Sequence, residues 1–460
     1  MKSSHEPSEV DVQASSSQGE SPATGHSLGT LAIRSASWTI VGQVISQALR
    51  LLSSIVLARL LFPEAFGLTA IVGVFLFGLA MLSDAGIGAS IVQNKRGDET
   101  AFLQTAWTLQ ALRGLLISIF AVILAWPVSV FYNEPQLFAL ICVGALGPTL
   151  QGLNSISIHS HERNLNLGPV VKLELVVQII QASITILWSL YDKSAWALVG
   201  GTLAGQAVHT ALSHRILIRL EHRFCWDRET LRAIVKFGRW ILLSSALTFF
   251  VLQTDRILLG YLLDLSILGV YVLGMRFIEA LNLFQTRVTY SVLFPFFSQI
   301  GRGNPQELVH RYYHARLPME LLFLSASAFL MVMGDHVIHL VFDERYEQAG
   351  WMVQIIAVQT AMSLILTTQE SLLFSLGHTY YGFLRSLAKA VWVVVGIPLG
   401  YSQMGLEGIV WCVALVEFPT LLVVWFGMVR YNLLKPILEL RALSIFLGAT
   451  LILFYLEQLL

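Results

Sequence analysis

From Arg34 onward the chain is a series of apolar stretches of roughly 20 residues or more, separated by short polar connectors. Each is long enough to cross a hydrocarbon layer of about 30 Å as a helix rising about 1.5 Å per residue. The pattern predicts thirteen such spans. Their approximate limits are Ala36–Leu60, Phe66–Val92, Ala101–Ala125, Gln136–Ile158, Pro169–Leu190, Ala195–Leu217 and Phe237–Leu263 in the first part of the chain. Leu268–Ile300, Leu317–Val341, Ala349–Phe374, Tyr381–Tyr401, Gly405–Arg430 and Leu438–Leu456 complete the series. Apolar residues run continuously and do not alternate, which predicts helices rather than barrel strands. Residues 1–33 differ: Ser, Glu, Gln, Gly and Pro dominate there, and the segment reads as a disordered cytoplasmic tail without a cleavable signal.

Composition sharpens the class. Apolar residues make up 55% of the 460 and charged residues only 13%, too few to cover a water-soluble protein of this length. The 29 Lys+Arg balance 29 Asp+Glu, which argues against nucleic acid as a partner. Cys142, Cys225 and Cys412 are far apart and offer neither a disulfide framework nor metal-ligand spacing. An all-α polytopic membrane bundle remains.

Connector charges give the expected orientation. One alternating set carries Lys95, Arg96, Arg163, the run Arg215 to Lys236, Arg302, Arg311, Arg316, Arg430, Lys435 and Arg441. The other holds little beyond Arg59, Lys193 and Arg345, with several acidic residues. The basic set is expected to face the cytoplasm, with the amino terminus inside and the carboxyl terminus outside.

The longest basic connector also divides a weak internal repeat. Shifted by 202 positions, Trp38 falls on Trp240, Ile55 on Ile257, Gly67 on Gly269 and Phe75 on Phe277. Equivalent positions lie six spans apart, an even number, so the two copies run in the same direction and predict parallel halves with a path between them. The expected division is a tail at 1–33, a first six-helix lobe at 34–218, a basic connector at 219–236, a second lobe at 237–430 and a further helix at 431–460.

Motifs for catalysis are scarce. There is no Walker-type loop and no HExxH. His336 with His339, and His159 with His161, read better as interfacial polar residues than as metal ligands. The expectation is a protein that is not an enzyme and carries no metal or cofactor. Polar residues inside the spans are the informative feature, because a charge at the bilayer centre costs roughly 2.5–3.5 kcal/mol on insertion scales. Gln43, Gln47, Arg50 and Ser54 fall on one stripe of the first span, and Gln110 and Arg113 share a face of the third. Arg276, Glu279 and Arg287 occupy the eighth; Thr360, Ser363, Thr367 and Glu370 stripe the tenth; Arg385 and Lys389 share a face of the eleventh. Other readings stand beside these. Arg276 with Glu279 also fits a packing ion pair, and Arg385 with Lys389 fits juxtamembrane anchors. Arg59, Arg239 and Arg316 fit snorkelling at span ends. Asp84 fits a helix cap, and Arg256 beside Asp255 fits a pair. Arg50 and Arg113 are deep and lack an acidic neighbour on their own helix, so they are expected to line a cavity that an anion visits. Phosphate is the anion whose geometry guanidinium matches.

The stretch Leu57-Ala-Arg-Leu-Leu-Phe-Pro-Glu-Ala-Phe-Gly-Leu68 resembles a signature of the polysaccharide transporter family. That family includes the Wzx-type flippases of the multidrug/oligosaccharidyl-lipid/polysaccharide exporter superfamily. Leu82-Ser-Asp-Ala-Gly-Ile-Gly-Ala-Ser-Ile-Val-Gln93, Trp196-Ala-Leu-Val199, Thr254-Asp-Arg-Ile-Leu-Leu-Gly260, Leu268-Gly-Val-Tyr271 and Val292-Leu-Phe-Pro295 are similar to the same family. The resemblance runs from Ser37 to about Leu376. It implies two six-helix lobes around a central cavity, often with two extra helices; thirteen spans depart from the fourteen common in the family. It implies movement of lipid-linked sugars between leaflets, with cavity cations for the pyrophosphate.

The combined expectation is a flippase of the cell inner membrane that carries polyprenyl-pyrophosphate-linked oligosaccharide from the inner to the outer leaflet for surface polysaccharide biosynthesis, by alternating access. Its expected partners are that lipid, membrane lipids and polysaccharide polymerase machinery. Arg50, Arg113, Gln43, Gln47, Arg276, Arg287, Arg385 and Lys389 are the candidate substrate contacts; Asp255, Glu279 and Glu370 are the candidate ion-coupling carboxylates. A cation-coupled drug or metabolite exporter of the same superfamily, and a membrane glycosyl ligase or polymerase, are the alternatives. The first should favour acidic cavity residues, and the second needs a large outer loop.

Overall fold

A computed structural model describes residues 25–217, 220, 222–303 and 305–458. Its helices are α1 Gly25–Leu60, α2 Pro63–Leu82, α3 Ile87–Gln93, α4 Thr100–Phe131, α5 Gln136–Gly144, α6 Leu146–Gly152, α7 Ser157–Arg163, α8 Gly168–Tyr191 and α9 Ala195–Ile216. The remainder are α10 Arg228–Leu262, α11 Leu265–Val288, α12 Phe294–Gly303, α13 Pro305–Met319, α14 Ser325–Val341, α15 Ala349–Ser375, α16 Tyr380–Ala414, α17 Glu417–Arg430 and α18 Pro436–Glu457. Among the described residues there is no strand. In hydrocarbon the backbone must satisfy its own hydrogen bonds, and helices do that within each segment.

Each of the thirteen predicted stretches is mostly helical, with breaks at residues 83–86 in the second and 153–156 in the fourth. Among the described residues nine helices are long and apolar enough to cross a membrane, and eleven if each bent pair is one span. Two differences from the expected count have local causes. α9 is helical throughout but carries Gln206, His209 and His214. The 51-residue stretch Tyr380–Arg430 holds two predicted spans, and the helix breaks at Gly405, whose φ of 58° and ψ of −134° suit a residue without a Cβ.

Two boundaries also differ. Helix α1 begins at Gly25, so the last part of the predicted tail is helical; residues 1–24 lie outside the described residues. Helix α10 begins at Arg228, within the predicted connector, because Asp227 caps it by accepting from the backbone N–H groups of Glu229 at 3.3 Å and Thr230 at 3.1 Å. Arg219 lies outside the described residues.

Glycines set how the two halves meet. A Cβ on Gly67 of α2 would stand 2.0 Å from the carbonyl oxygen of Leu265, and one on Gly269 of α11 would stand 1.9 Å from that of Pro63. Only hydrogen allows this backbone approach. The contacts are reciprocal under the 202-residue shift: Gly67 maps on Gly269 and Pro63 on Leu265. The repeat is therefore present as a local two-fold relation between α2 and α11. Past the far end of α2, a Cβ on Gly238 of α10 would stand 2.2 Å from the Ala85 oxygen, and Ser245 donates to Asp84 at 3.3 Å.

The last helix is tied down by charge. Arg316 does not snorkel as the sequence suggested; it is fully buried and pairs with Glu320 at 2.8 Å and Glu439 at 2.9 Å. Arg441 pairs with Glu320 at 2.8 Å, and the Tyr313 hydroxyl donates to Glu439 at 2.9 Å. This knot joins α13 and the π-helical turn Glu320–Leu324 to α18.

Removing one member of a buried pair strands its partner's charge. Glu439→Gln is expected to destabilise the protein by about 3–5 kcal/mol. Glu307→Gln, which breaks the exposed pair with Arg311, should cost about 1 kcal/mol or less. Thermal unfolding of the two variants in one detergent checks the order.

Candidate functional site

A cavity of about 770 Å³ lies among α1, α2, α8, α9, α10 and α11. Its α1 wall is built from Gln43, Ser46, Arg50, Ser53 and Leu57, whose steps of three and four residues put them on one helical face, with Ser54 beside them. The second half of the chain contributes Gln253, Arg256 and Arg276. Three arginines thus converge here, against one carboxylate, Glu174, among the described lining residues.

Their states differ. Arg256 pairs with Glu279 and donates to the Gln253 side chain at 3.3 Å. Arg276 makes no such pair among the described residues; its Nε is buried without a hydrogen-bond partner. The expected Arg276–Glu279 pair is replaced by Arg256–Glu279, which leaves the Arg276 guanidinium for the cavity. Arg50 is exposed to the chamber and reaches only Ser46, at 3.4 Å. Ser46 donates to Gln178 at 2.6 Å, and Gln178 returns a bond to the Ser46 carbonyl at 2.7 Å, which pins α1 against α8 and fixes the level at which Arg50 stands. An adjoining cavity of about 270 Å³ shares Gln43, Ser46 and Glu174 and adds Arg287 and Glu162.

The other candidates separate. Gln47 is buried at the edge of the same α1 stripe and lines none of these chambers. Arg113 does not join Arg50. It donates to the Ala80 carbonyl and, at 3.2 Å, to the Ser83 hydroxyl, so it caps the carboxyl end of α2. It also lines a second cavity of about 490 Å³, enclosed by α4, α6, α8 and α9. Arg385 and Lys389 are not surface anchors: Arg385 pairs with Glu370, and Lys389 pairs with Glu417 at 2.8 Å. Glu370 also accepts from Tyr290 at 3.1 Å. Of the remaining candidate carboxylates, Asp255 accepts from Tyr271 at 2.8 Å and Glu279 holds Arg256. Glu174, Arg256, Gln178 and Gln181 were missed as cavity groups. Glu174 is the lone carboxylate of its span, a signal that could have found it; the others depend on which face packs inward.

One rim of the large cavity is latched. Helix α1 leaves its last carbonyls without intrahelical donors. The Tyr346 hydroxyl donates to Leu61 O at 3.0 Å, and the Arg345 guanidinium donates to Arg59 O at 3.2 Å. Arg59 donates back to Val341 O at 3.4 Å. This latch and the Gly67–Gly269 contact close the same end of the chamber, since Pro63 and Leu61 adjoin.

The replacement pair Arg345→Gln and Tyr346→Phe is expected to loosen that rim. In a protein whose native cysteines are changed to serine, Ser54→Cys should react several-fold faster with a membrane-impermeant maleimide added on the Tyr346 side. An unchanged labelling rate would mean the latch does not gate access.

Comparison with known proteins follows the geometry. The sequence pattern of the polysaccharide biosynthesis protein family matches residues 56–351. The lipopolysaccharide biosynthesis protein WzxC of Escherichia coli (strain K12) is 23% identical over 411 residues, covering 88% of this chain and 82% of its own length. The succinoglycan biosynthesis transport protein ExoT of Rhizobium meliloti (strain 1021) is 20% identical over 379 residues, covering 82% and 76%. Among solved structures, the lipid II flippase MurJ in an inward closed conformation aligns with a TM-score of 0.72 at 13% identity, over 93% of this chain and 92% of that one. A multidrug resistance MATE family transporter in an inward-facing conformation aligns at 0.62 and 13%, over 85% and 94%. At these identities the structural likeness is one of fold.

Proposed function

The chain belongs to the polysaccharide biosynthesis protein family, and from that premise we propose that it is a flippase for a polyprenyl-pyrophosphate-linked oligosaccharide. The observation that carries this reading is the pair of cavity arginines, Arg50 and Arg276, that make no ion pair with a carboxylate among the described residues. Cations that line a chamber without an ion-pair partner attract an anion, and a visiting diphosphate supplies that charge. Guanidinium and phosphate match in geometry as well as in sign. WzxC, named for lipopolysaccharide biosynthesis, and ExoT, named for succinoglycan biosynthesis transport, support a sugar-bearing cargo.

In this reading Arg50 and Arg276 hold the diphosphate while Arg256 is kept in place by Glu279. The lipid tail stays in the bilayer, so only the polar head needs shelter. Two lobes, residues 34–218 and 237–430, rock about their shared contact and pass the head from the inner to the outer leaflet of the cytoplasmic membrane, with the amino terminus inside. An inside-negative potential assists outward movement of an anion by about 2.3 kcal/mol per charge per 100 mV. Arg113, Arg385, Lys389 and Gln47 support the fold around this chamber. Asp255, Glu279 and Glu370 are the carboxylates through which an ion gradient would act, and each must leave a present partner to do so; Glu174 stands at the chamber without one. The protein binds and moves its cargo without covalent chemistry. An exporter of cationic compounds would favour the reverse charge balance in the chamber.

Reconstitution tests the reading. Vesicles containing the purified chain and a polyprenyl diphosphate glycan should lose leaflet asymmetry of that lipid. Arg50→Gln and Arg276→Gln should each slow the movement by about ten- to a hundredfold, the worth of one charged hydrogen bond. Vesicles that move a cationic dye and leave the lipid in place would overturn the assignment.

A further inference from the structure

We propose that the 490 Å³ cavity among α4, α6, α8 and α9 is the chamber that recognises the glycan; this deepens the lipid-linked glycan reading and rests on it. The cavity is lined by an unusual density of neutral hydrogen-bonding groups: Gln110, Gln151, Asn154, Gln181, Gln206 and His209. Among the described lining residues Arg113 is the one Arg or Lys, and there is no carboxylate. A side-chain amide donates and accepts at once, which matches hydroxyl groups that do the same. An anionic ligand would call for cations, and an apolar ligand would leave these amides unsatisfied.

The amides are held ready. The Gln206 Oε1 is buried and has no hydrogen-bond partner. The side chains of Gln151, Gln181 and His209 make no hydrogen bond among the described residues either. Two glycines keep space for them. A Cβ on Gly147 would stand 2.4 Å from Gln206 Oε1, and one on Gly205 would stand 2.6 Å from Gln181 Oε1. Gln110 is different: its amide nitrogen donates to the carbonyls of Gly152 and Asn154, each at 3.1 Å, which fixes one wall.

Position connects the chamber to the arginines. Gln181 lines both this cavity and the 770 Å³ one. A third, of about 260 Å³, shares Thr69, Gly73, Phe77 and Thr202 with the arginine chamber and Gln151 and Gln206 with the amide chamber. A head whose diphosphate rests between Arg50 and Arg276 can extend its sugars across Gln181 toward Gln206. The two chambers thus divide the cargo: charge on one side, hydroxyl groups on the other.

The test compares two lipids in the same vesicles: a polyprenyl diphosphate bearing the full glycan extracted from cells that carry this chain, and the same lipid trimmed to its first sugar. The double variant Gln151→Met, Gln206→Met keeps side-chain length and removes two amides that do not line the arginine chamber. It is expected to slow the full-glycan lipid by about tenfold, the worth of two hydrogen bonds, and the trimmed lipid by less than about twofold. Arg50→Gln should slow both. A wild type that moves only the full-glycan lipid, with a double variant that has lost that movement while unfolding at the wild-type temperature, supports the proposal equally. Equal effects of the double variant on both lipids, or none on either, overturn it. Should the double variant unfold early, Gln151→Met alone is scored by the same comparison. A wild type that moves neither lipid defeats the flippase reading itself and is told apart by that result.

Discussion

A guanidinium group removed from water must find a negative partner, and in a bilayer it cannot look for one in solvent. That constraint sorts the arginines of this protein. Arg316 is fully buried between Glu320 and Glu439, Arg385 faces Glu370, and Arg256 faces Glu279. Each of these pairs consumes its own charge, and the Arg316–Glu439 pair joins helices more than a hundred residues apart in the chain. Arg50 and Arg276 stand outside that economy, in one chamber, with their donors unclaimed by any carboxylate. The difference between a paired and an unpaired arginine here is one of neighbours, because the residue type is the same.

The backbone contact between α2 and α11 supplies the complementary constraint. Two glycines let carbonyl oxygens of the opposite helix come where any side chain would stand. Because the contact maps onto itself under the repeat, it fixes both the separation and the relative turn of the two halves at one end. The far end of α2 is met by α10 through Gly238, so α2 bridges the two halves along its length. The arginines of the chamber are gathered from both sides of that bridge.

Much of this was legible in the sequence, and the reasons for the rest are physical. Span existence follows largely from apolar length, so most of the spans were visible, although nine to eleven stand among the described residues where thirteen were expected. The Gly67–Gly269 relation was visible because backbone contact tolerates so few residues that the match stands out in an apolar background. The stripe on α1 gave Gln43, Arg50 and Ser54, since helical periodicity reports a face. Periodicity does not report what lies opposite that face. It could not tell that Arg385 meets Glu370 and Glu417 or that Glu279 prefers Arg256 to its neighbour three residues back, because those partners come from other helices. Arg113 was read as unpaired because its acceptor is a backbone carbonyl at a helix end, which no side-chain pattern reveals. Gln181 and Gln206 passed as ordinary span polarity, since their significance is the empty space beside them.

The glycine contact has a mechanical side. It lies near one end of α2, a helix of 20 residues and therefore about 30 Å long at about 1.5 Å per residue. A tilt of about 10° about that end would carry the other end sideways by about 5 Å, by lever arithmetic on the same length. A hinge placed at the tip converts a small angular change into a displacement on the scale of one sugar ring, whereas a hinge at mid-membrane would deliver half as much. In the proposed rocking, replacing either glycine with a bulkier residue would therefore do more than loosen packing; it would move the fulcrum and shorten the stroke.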